Sequence, residues 1–235
     1  MRAALPEWFG TWESKIDIIL DVIKAGGLIL LNGYDKKGRR VLIFNPQDID
    51  PIKYDMAFDI INIFYFLIME ILMDALDQCS VTGLVFGWLT EGLTMGHVAL
   101  YSNPVSVKKC ATVLQDAYPI RPRAMHMLNL PSLAEAAVNL FRSCLNEKMK
   151  NRIQVGSLAN FVADTGEEVL PKELGGTNGK LQDHIDHTLK LISDKRDWLT
   201  LRSGLKSDES KRQGKSKDYS EIFGMEGSFR QLNVD

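Results

Sequence analysis

The chain has 235 residues, 45% of them hydrophobic and 25% charged, with a formal net charge of −2. That is ordinary globular usage, with apolar residues enough for a sizeable core in one large domain or a domain with a small appendage. A balance so near neutral excludes non-specific binding of nucleic acid or another polyanion by the molecule as a whole, though not a local basic patch.

Cys79, Cys110 and Cys144 are odd in number and unclustered, which reads as reduced thiols in a cytosolic setting rather than a disulfide framework. Residues 1–15 carry Glu7, Glu13 and two tryptophans and lack the apolar run of a secretory leader, so none is expected. Ser14 caps a helix predicted to about Ala25, which Gly26-Gly27 stops. Residues 33–38 read as a turn, and residues 41–44 as a short apolar strand behind it.

A long apolar helix is predicted over about residues 53–77. Its segment 56–73 comes nearest to a membrane span, but Asp59, Asn62 and Glu70 interrupt it, and its longest unbroken apolar run is residues 63–69. A span needs roughly 20 mostly apolar residues, so a buried helix is expected. Ile60, Ile61, Ile63, Phe64, Tyr65, Phe66, Leu67, Ile68 and Met69 make it apolar nearly all round, which fits burial on more than one side.

Residues 82–88 read as a second strand. Asn103-Pro104 is a good N-cap and first-turn pair, opening a helix with Val107, Cys110, Ala111, Leu114, Ala117 and Tyr118 on one face. Residues 124–128 are a third strand. Pro131 opens a helix predicted to reach about Lys150, with Leu133, Ala136, Ala137, Leu140, Phe141, Cys144 and Leu145 in an apolar stripe. A fourth strand at 153–155, a turn-rich break at 170–176 and a last helix at about 181–198 follow. The strands are continuous apolar runs alternating with helices, the signature of an α/β fold with a parallel sheet covered on its faces.

From about residue 203 to 217 Lys and Arg are interleaved with Ser, Asp and Gly, which reads as a flexible basic linker. The last stretch regains Phe, Met and Leu.

Motifs for chemistry are absent. Gly179-Lys180 is followed by Leu181 and has no glycine five positions before it, so no Walker loop forms; no dinucleotide fingerprint or nucleophile elbow occurs either. His184 and His187 have a metal-gripping spacing, but no third ligand accompanies them, and the preferred reading is two solvated histidines beside Asp183 and Asp186. His97 and His126 are isolated and read as structural, and no cysteine has a basic activator nearby in sequence. No catalytic residue, metal site or cofactor is expected, and the chain reads as a non-enzyme. Lys148 and Arg152, four apart, share a face of the predicted helix; with Arg121 and Arg123 they are either an anion-binding group or solvated surface charge.

Several segments, in order, carry a resemblance. They are Asp35-Lys36-Lys37-Gly38-Arg39-Arg40-Val41-Leu42-Ile43, Glu91-Gly92-Leu93-Thr94-Met95-Gly96-His97 and Leu114-Gln115-Asp116-Ala117-Tyr118-Pro119-Ile120-Arg121, followed by Met125-His126-Met127-Leu128-Asn129. Further on come Asn146-Glu147-Lys148-Met149-Lys150-Asn151-Arg152-Ile153, Leu170-Pro171-Lys172-Glu173-Leu174-Gly175-Gly176 and Phe223-Gly224-Met225-Glu226-Gly227-Ser228-Phe229-Arg230. Together they resemble the CRAL-TRIO (Sec14-like) lipid-binding family, in the branch of the tocopherol-transfer, retinaldehyde-binding and clavesin proteins, insect type. The likeness runs from about residue 28 to 235.

The resemblance implies a mostly parallel sheet floor, flanking helices and a gate helix over a lipid pocket, with the segment from Pro131 as the gate. Tyr65, Met69, Val113, Leu114, Tyr118, Ile120 and Met125 match pocket-lining positions; the apolar pattern adds Ile61, Phe64, Ile68, Leu133 and Phe141. Arg121, Arg123, Lys148 and Arg152 match positions that grip phosphoinositide headgroups, a task that suits Arg because its fork meets phosphate bidentately.

The implied function is binding and transfer of one small hydrophobic ligand, tocopherol-like, retinoid-like or another lipid. The chain would be a cytoplasmic monomer, transiently associated with endosomal or other intracellular membranes. A lipid-sensing module acting through a protein partner is the alternative.

By the same resemblance, residues 1–27 are expected as a remnant of an N-terminal helical module and 28–200 as the lipid-binding domain, with 201–218 the linker and 219–235 a C-terminal tail. Phosphoinositide contacts from that module do not carry over. The family usually has Asp two positions before the Glu of Glu91-Gly92, where this chain has Leu89, so a local hydrogen bond is expected to be lost.

Overall fold

Five strands form one sheet in the spatial order β1 (Leu28–Leu30), β2 (Arg40–Phe44), β3 (Leu84–Leu89), β4 (Pro122–Leu128) and β5 (Ile153–Gly156). The computed structural model describes residues 5–10, 12–53, 57–118, 121–205, 208, 211 and 213. β1 pairs antiparallel with β2, and the remaining three pairs are parallel. The α/β fold read from the sequence is therefore present, with one strand more than expected: no element was expected between Gly27 and Gly33, and β1 lies there.

The helices are α1 (Pro6–Phe9), α2 (Trp12–Lys24), α3 (Ala57–Asp74), α4 (Cys79–Thr82), α5 (Met95–Tyr101), α6 (Pro104–Asp116), α7 (Glu135–Ser143), α8 (Glu147–Lys150), α9 (Leu158–Thr165), α10 (Leu181–Asp194) and α11 (Arg196–Ser203). Four parallel strands added in one direction through right-handed crossovers must place every connecting helix on the same face. Accordingly α3, α5, α6 and α7 pack on one another there. α9, which follows the last strand, covers the opposite face. Its Phe161 ring sits 5.1 Å from the His126 ring, and a Cβ at Gly87 would approach that ring within 2.8 Å.

The expected long helix is α3, and it is buried along its length from Ile60 to Leu72. Its polar interruptions have partners. Asp59 accepts from Trp8 Nε1 at 2.6 Å and Lys15 Nζ at 3.0 Å, Glu70 pairs with Arg202 at 2.9 Å, and Asn62 bonds the Cys110 thiol. α1 and α2 bury Trp8, Phe9 and Trp12, with Phe9 edge-on to Phe66 at 5.3 Å. Among the described residues no helix is long and apolar enough to cross a membrane.

The outer edge of β1 would expose unpaired backbone groups. Thr188 of α10 covers it, its hydroxyl accepting from Leu30 N at 3.1 Å and lying 3.2 Å from Leu30 O. One turn earlier His184 Nδ1 accepts from Asn32 N at 3.0 Å, while Nε2 donates to Asn178 O at 2.8 Å. His184 is thus 2% exposed, which corrects the expectation of a solvated histidine: it docks α10 onto the sheet edge.

Under the opposite face, the Asp35 carboxylate is enclosed by its own turn, accepting from Lys37 N, Arg39 N and Arg39 Nε. Arg39 reaches on to Asp164 at 3.0 Å, where Lys37 Nζ and His126 Nε2 also donate. Burial, against the pull of Asp164, holds His126 below its ordinary pKa. Burial raises the Asp164 carboxyl, but the donors and the Arg39 charge outweigh it and hold the group at about 2.

Two outcomes follow. Thr188→Val leaves Leu30 N–H unpaired and costs about 1–3 kcal/mol, seen in thermal unfolding, whereas Thr188→Ser keeps most of that stability. A histidine lowered in the fold takes up more protons when unfolded, so stability declines as pH falls below about 6.5. It declines again below about 4 as Asp164, depressed in the fold, approaches protonation. Urea unfolding of His126→Gln against pH shrinks the first decline, to which His187, also lowered by burial, contributes the remainder, and leaves the second.

Candidate functional site

Side chains alternate along a strand, so in-register residues form rows across the sheet. Two rows face the crossover helices: Leu42, Phe86 and Met125, then Phe44, Trp88 and Met127. Above them lie two chambers of about 60 Å³ each. The first rests on the Leu42 row, walled by Ile61, Asn62, Phe64 and Tyr65 of α3, Cys110 and Leu114 of α6, and Phe141 of α7. The second rests on the Phe44 row, walled by Leu93, Val98, Tyr101, Val107 and the lid residues Ala134, Ala137, Val138 and Phe141.

Phe44, Trp88 and Phe141 line both chambers. Phe44 and Trp88 meet edge-to-face at 4.5 Å. These three rings are walls common to both chambers, two of them on the sheet and one on the lid.

The lid is shorter than the sequence suggests. The expected helix from Pro131 to about Lys150 opens as a 3-10 turn over Ser132–Ala134, continues as α7 and breaks before α8. Gln115 of α6 holds the break, accepting from Asn146 N at 2.8 Å and donating to Cys144 O at 3.4 Å. Asn146 then caps α8 by accepting from Met149 N. The 3-10 start shifts the inward face to Ala134, Ala137, Val138 and Phe141. Leu133, in that turn, is 39% exposed and lines neither chamber.

The chamber walls are almost wholly apolar, and their few polar groups are instructive. Among the described residues, Tyr65 Oη and Trp88 Nε1 are sealed from water and have no hydrogen-bond partner. Burial pushes the Tyr65 phenol well above its ordinary pKa and the Cys110 thiol up to about 12, the Asn62 bond offsetting only part of the latter. These thiols and phenols are protonated, and the walls hold no activated nucleophile.

Arg121 and Arg123 stand at the start of β4, and Arg152 just before the neighbouring β5. Arg123 is fixed by donating to Thr82 O and Val81 O, the last carbonyls of α4. Burial, then the Arg123 and Arg121 charges, push the Arg152 guanidinium below its ordinary pKa. Among the described residues none of these three, nor Lys148, makes an ion pair. Lys148 is exposed on α8, and Arg152 lies past the end of that helix at Lys150. The helix face they were expected to share does not exist.

Residues 24–176 match the CRAL/TRIO domain family. The chain belongs to that family. Similar relatives include the alpha-tocopherol transfer protein-like protein of Mus musculus, 28% identical over 200 residues that cover 84% of this chain and 56% of that one. The Homo sapiens protein of the same name is 29% identical over 195 residues, 82% and 55% of the two chains. Clavesin-2 of Rattus norvegicus is 26% identical over 156 residues, 64% and 45%. The chain thus spans about half the length of these relatives. The crystal structure of Sfh5 aligns with a TM-score of 0.46 at 14% identity, over 80% of this chain and 72% of that one.

In this CRAL/TRIO chain, Ile61, Phe64, Tyr65, Leu114, Met125 and Phe141 are brought together around the first chamber. Tyr118 stacks edge-on against Tyr65 at 5.6 Å without lining either chamber. Ile68, Met69 and Val113 are buried in the packed core and also line neither. Ile120 lies outside the described residues, as do most of the expected linker and all of the tail. Sequence reasoning missed the second chamber and the sheet rows beneath both. The signal available was the alternation of Leu42 with Phe44 and of Phe86 with Trp88, hidden because both faces of the sheet are apolar.

Phe141→Ala fuses the chambers and costs about 3 kcal/mol, the low end for a buried Phe, because that ring already borders empty space. Urea unfolding measures it.

Proposed function

We propose that this chain shelters one small hydrophobic molecule between its sheet and lid and carries it to and from membranes, performing no chemistry on it. The observation carrying this reading is the pair of apolar chambers between sheet and lid that share Phe44, Trp88 and Phe141 as walls. Each chamber alone has room for a handful of waters. A terpenoid-sized guest needs both, so loading requires the lid ring to swing aside. Burying about 400 Å² of such a guest gains on the order of 10 kcal/mol before entropic costs.

So large a gain makes spontaneous release slow, and the membrane must assist. Arg121, Arg123 and Arg152 gather positive charge without an ion pair among the described residues, which suits an anionic phosphoinositide headgroup, with Lys148 adding to the same attraction. The names of the alpha-tocopherol transfer protein-like relatives support a hydrophobic cargo. The setting proposed is the cytoplasm and the surface of endosomal or other intracellular membranes.

The test is transfer of a fluorescent lipid between donor and acceptor liposomes by the full chain. Each basic residue near an anionic surface contributes about 1 kcal/mol. Changing Arg121, Arg123, Arg152 or Lys148 singly to Ala therefore weakens binding to phosphoinositide vesicles about fivefold, with guest affinity unchanged. Loss of guest affinity in these variants contradicts the division of labour; a chain that holds its guest but never delivers it contradicts the carrier reading.

A further inference from the structure

We infer that the guest is a neutral, oxygenated lipid, whose carbonyl, ether or hydroxyl oxygen accepts from Tyr65 and Trp88 in the first chamber. The inference deepens the binding reading above and rests on it. Four polar side chains interrupt the apolar wall of that chamber: Asn62, Tyr65, Trp88 and Cys110. Asn62 and Cys110 bond to each other. Tyr65 Oη and Trp88 Nε1 do not find a partner among the described residues, although both atoms are sealed from water.

A buried donor without an acceptor is destabilising, and phenylalanine would fill either position without that cost. Phe64, Phe66 and Phe86 do so in the immediate surroundings. The two side chains that carry these unpaired donors, one on the α3 wall and one on the β3 floor, both line the first chamber. An oxygen on the guest satisfies what the protein leaves open.

The wall also limits the guest's charge. Among the described residues no Lys or Arg lines either chamber, so a carboxylate would be buried without a counter-charge, which is far more costly than burying a neutral oxygen. A hydrocarbon has the opposite fault. It gains as much from burial and leaves both donors unpaired, and a site built to hydrogen-bond rejects analogues that lack the matching group.

The experiment is a competition among three fifteen-carbon probes that differ at one end: farnesal, farnesene and farnesoic acid. The full chain is incubated with an equimolar mixture and separated by gel filtration, and its organic extract is quantified. Farnesal is expected at about tenfold or more over each rival, the factor that one or two unpaired buried donors impose. In Tyr65→Phe with Trp88→Phe that preference over farnesene disappears. Recovery of farnesene or the acid at or above farnesal from the natural chain overturns the inference and leaves the binding reading intact. Recovery of none of the three removes the binding reading itself, and the inference with it. A second measurement needs no guest: thermal unfolding of empty Tyr65→Phe. Unchanged or raised stability supports an unpaired hydroxyl, and a clear fall shows a protein partner and overturns the proposal.

Discussion

The handedness of the chain dictates where the hollow lies. Strands β2 to β5 are laid side by side in sequence order, and right-handed connections send every intervening helix to one face. That face must accommodate the 18-residue α3, α5, α6 and the lid, whereas the other is closed by α9. Helices crowded onto one face do not fill the space above the two sheet rows, and the chambers are what remains. The lid is a nine-residue helix joined through a 3-10 turn at one end and a Gln115-held break at the other.

The rest of the molecule is built to keep this arrangement rigid. α3 is apolar on every side, so it needs cover on every side. α1, α2 and α11 supply it on the outside, and each of the three polar interruptions, Asp59, Asn62 and Glu70, is paired. On the closed face Asp35, Arg39, Asp164 and His126 form a buried charged network whose members satisfy one another. Such networks add little net stability but leave few alternative arrangements. Most buried polar groups of the fold are captured by the protein itself, whereas among the described residues Tyr65 and Trp88 at the first chamber leave donors unpaired, as Trp12 Nε1 and Arg142 Nε do elsewhere.

Much of this was legible in the sequence. The run from Ile60 to Met69 announced a helix buried all round, and the apolar runs marked β2 to β5 to within a few residues, because both signals are local. β1 was not legible: three residues after Gly26-Gly27 carry no periodicity, and their strand character comes from pairing with Arg40–Phe44. With β1 unseen, the edge it offers was unseen too, and His184 was placed in solvent. α9 had a local signal that went unread, Ser157 with Asn160 in a capping box. The lid stripe was turned by the 3-10 start, which moved Leu133 outward and Ala134 and Val138 inward. The second chamber requires a sheet row, α5 and the lid to meet, a coincidence no single segment records.

The central claim is an apolar interior that a guest completes, and native mass spectrometry of the intact purified chain tests it most directly. The account predicts a population heavier than the bare chain by one lipid-sized mass, removed by organic solvent. A chain of bare mass only, whose thermal stability no added hydrophobic molecule raises, would contradict it.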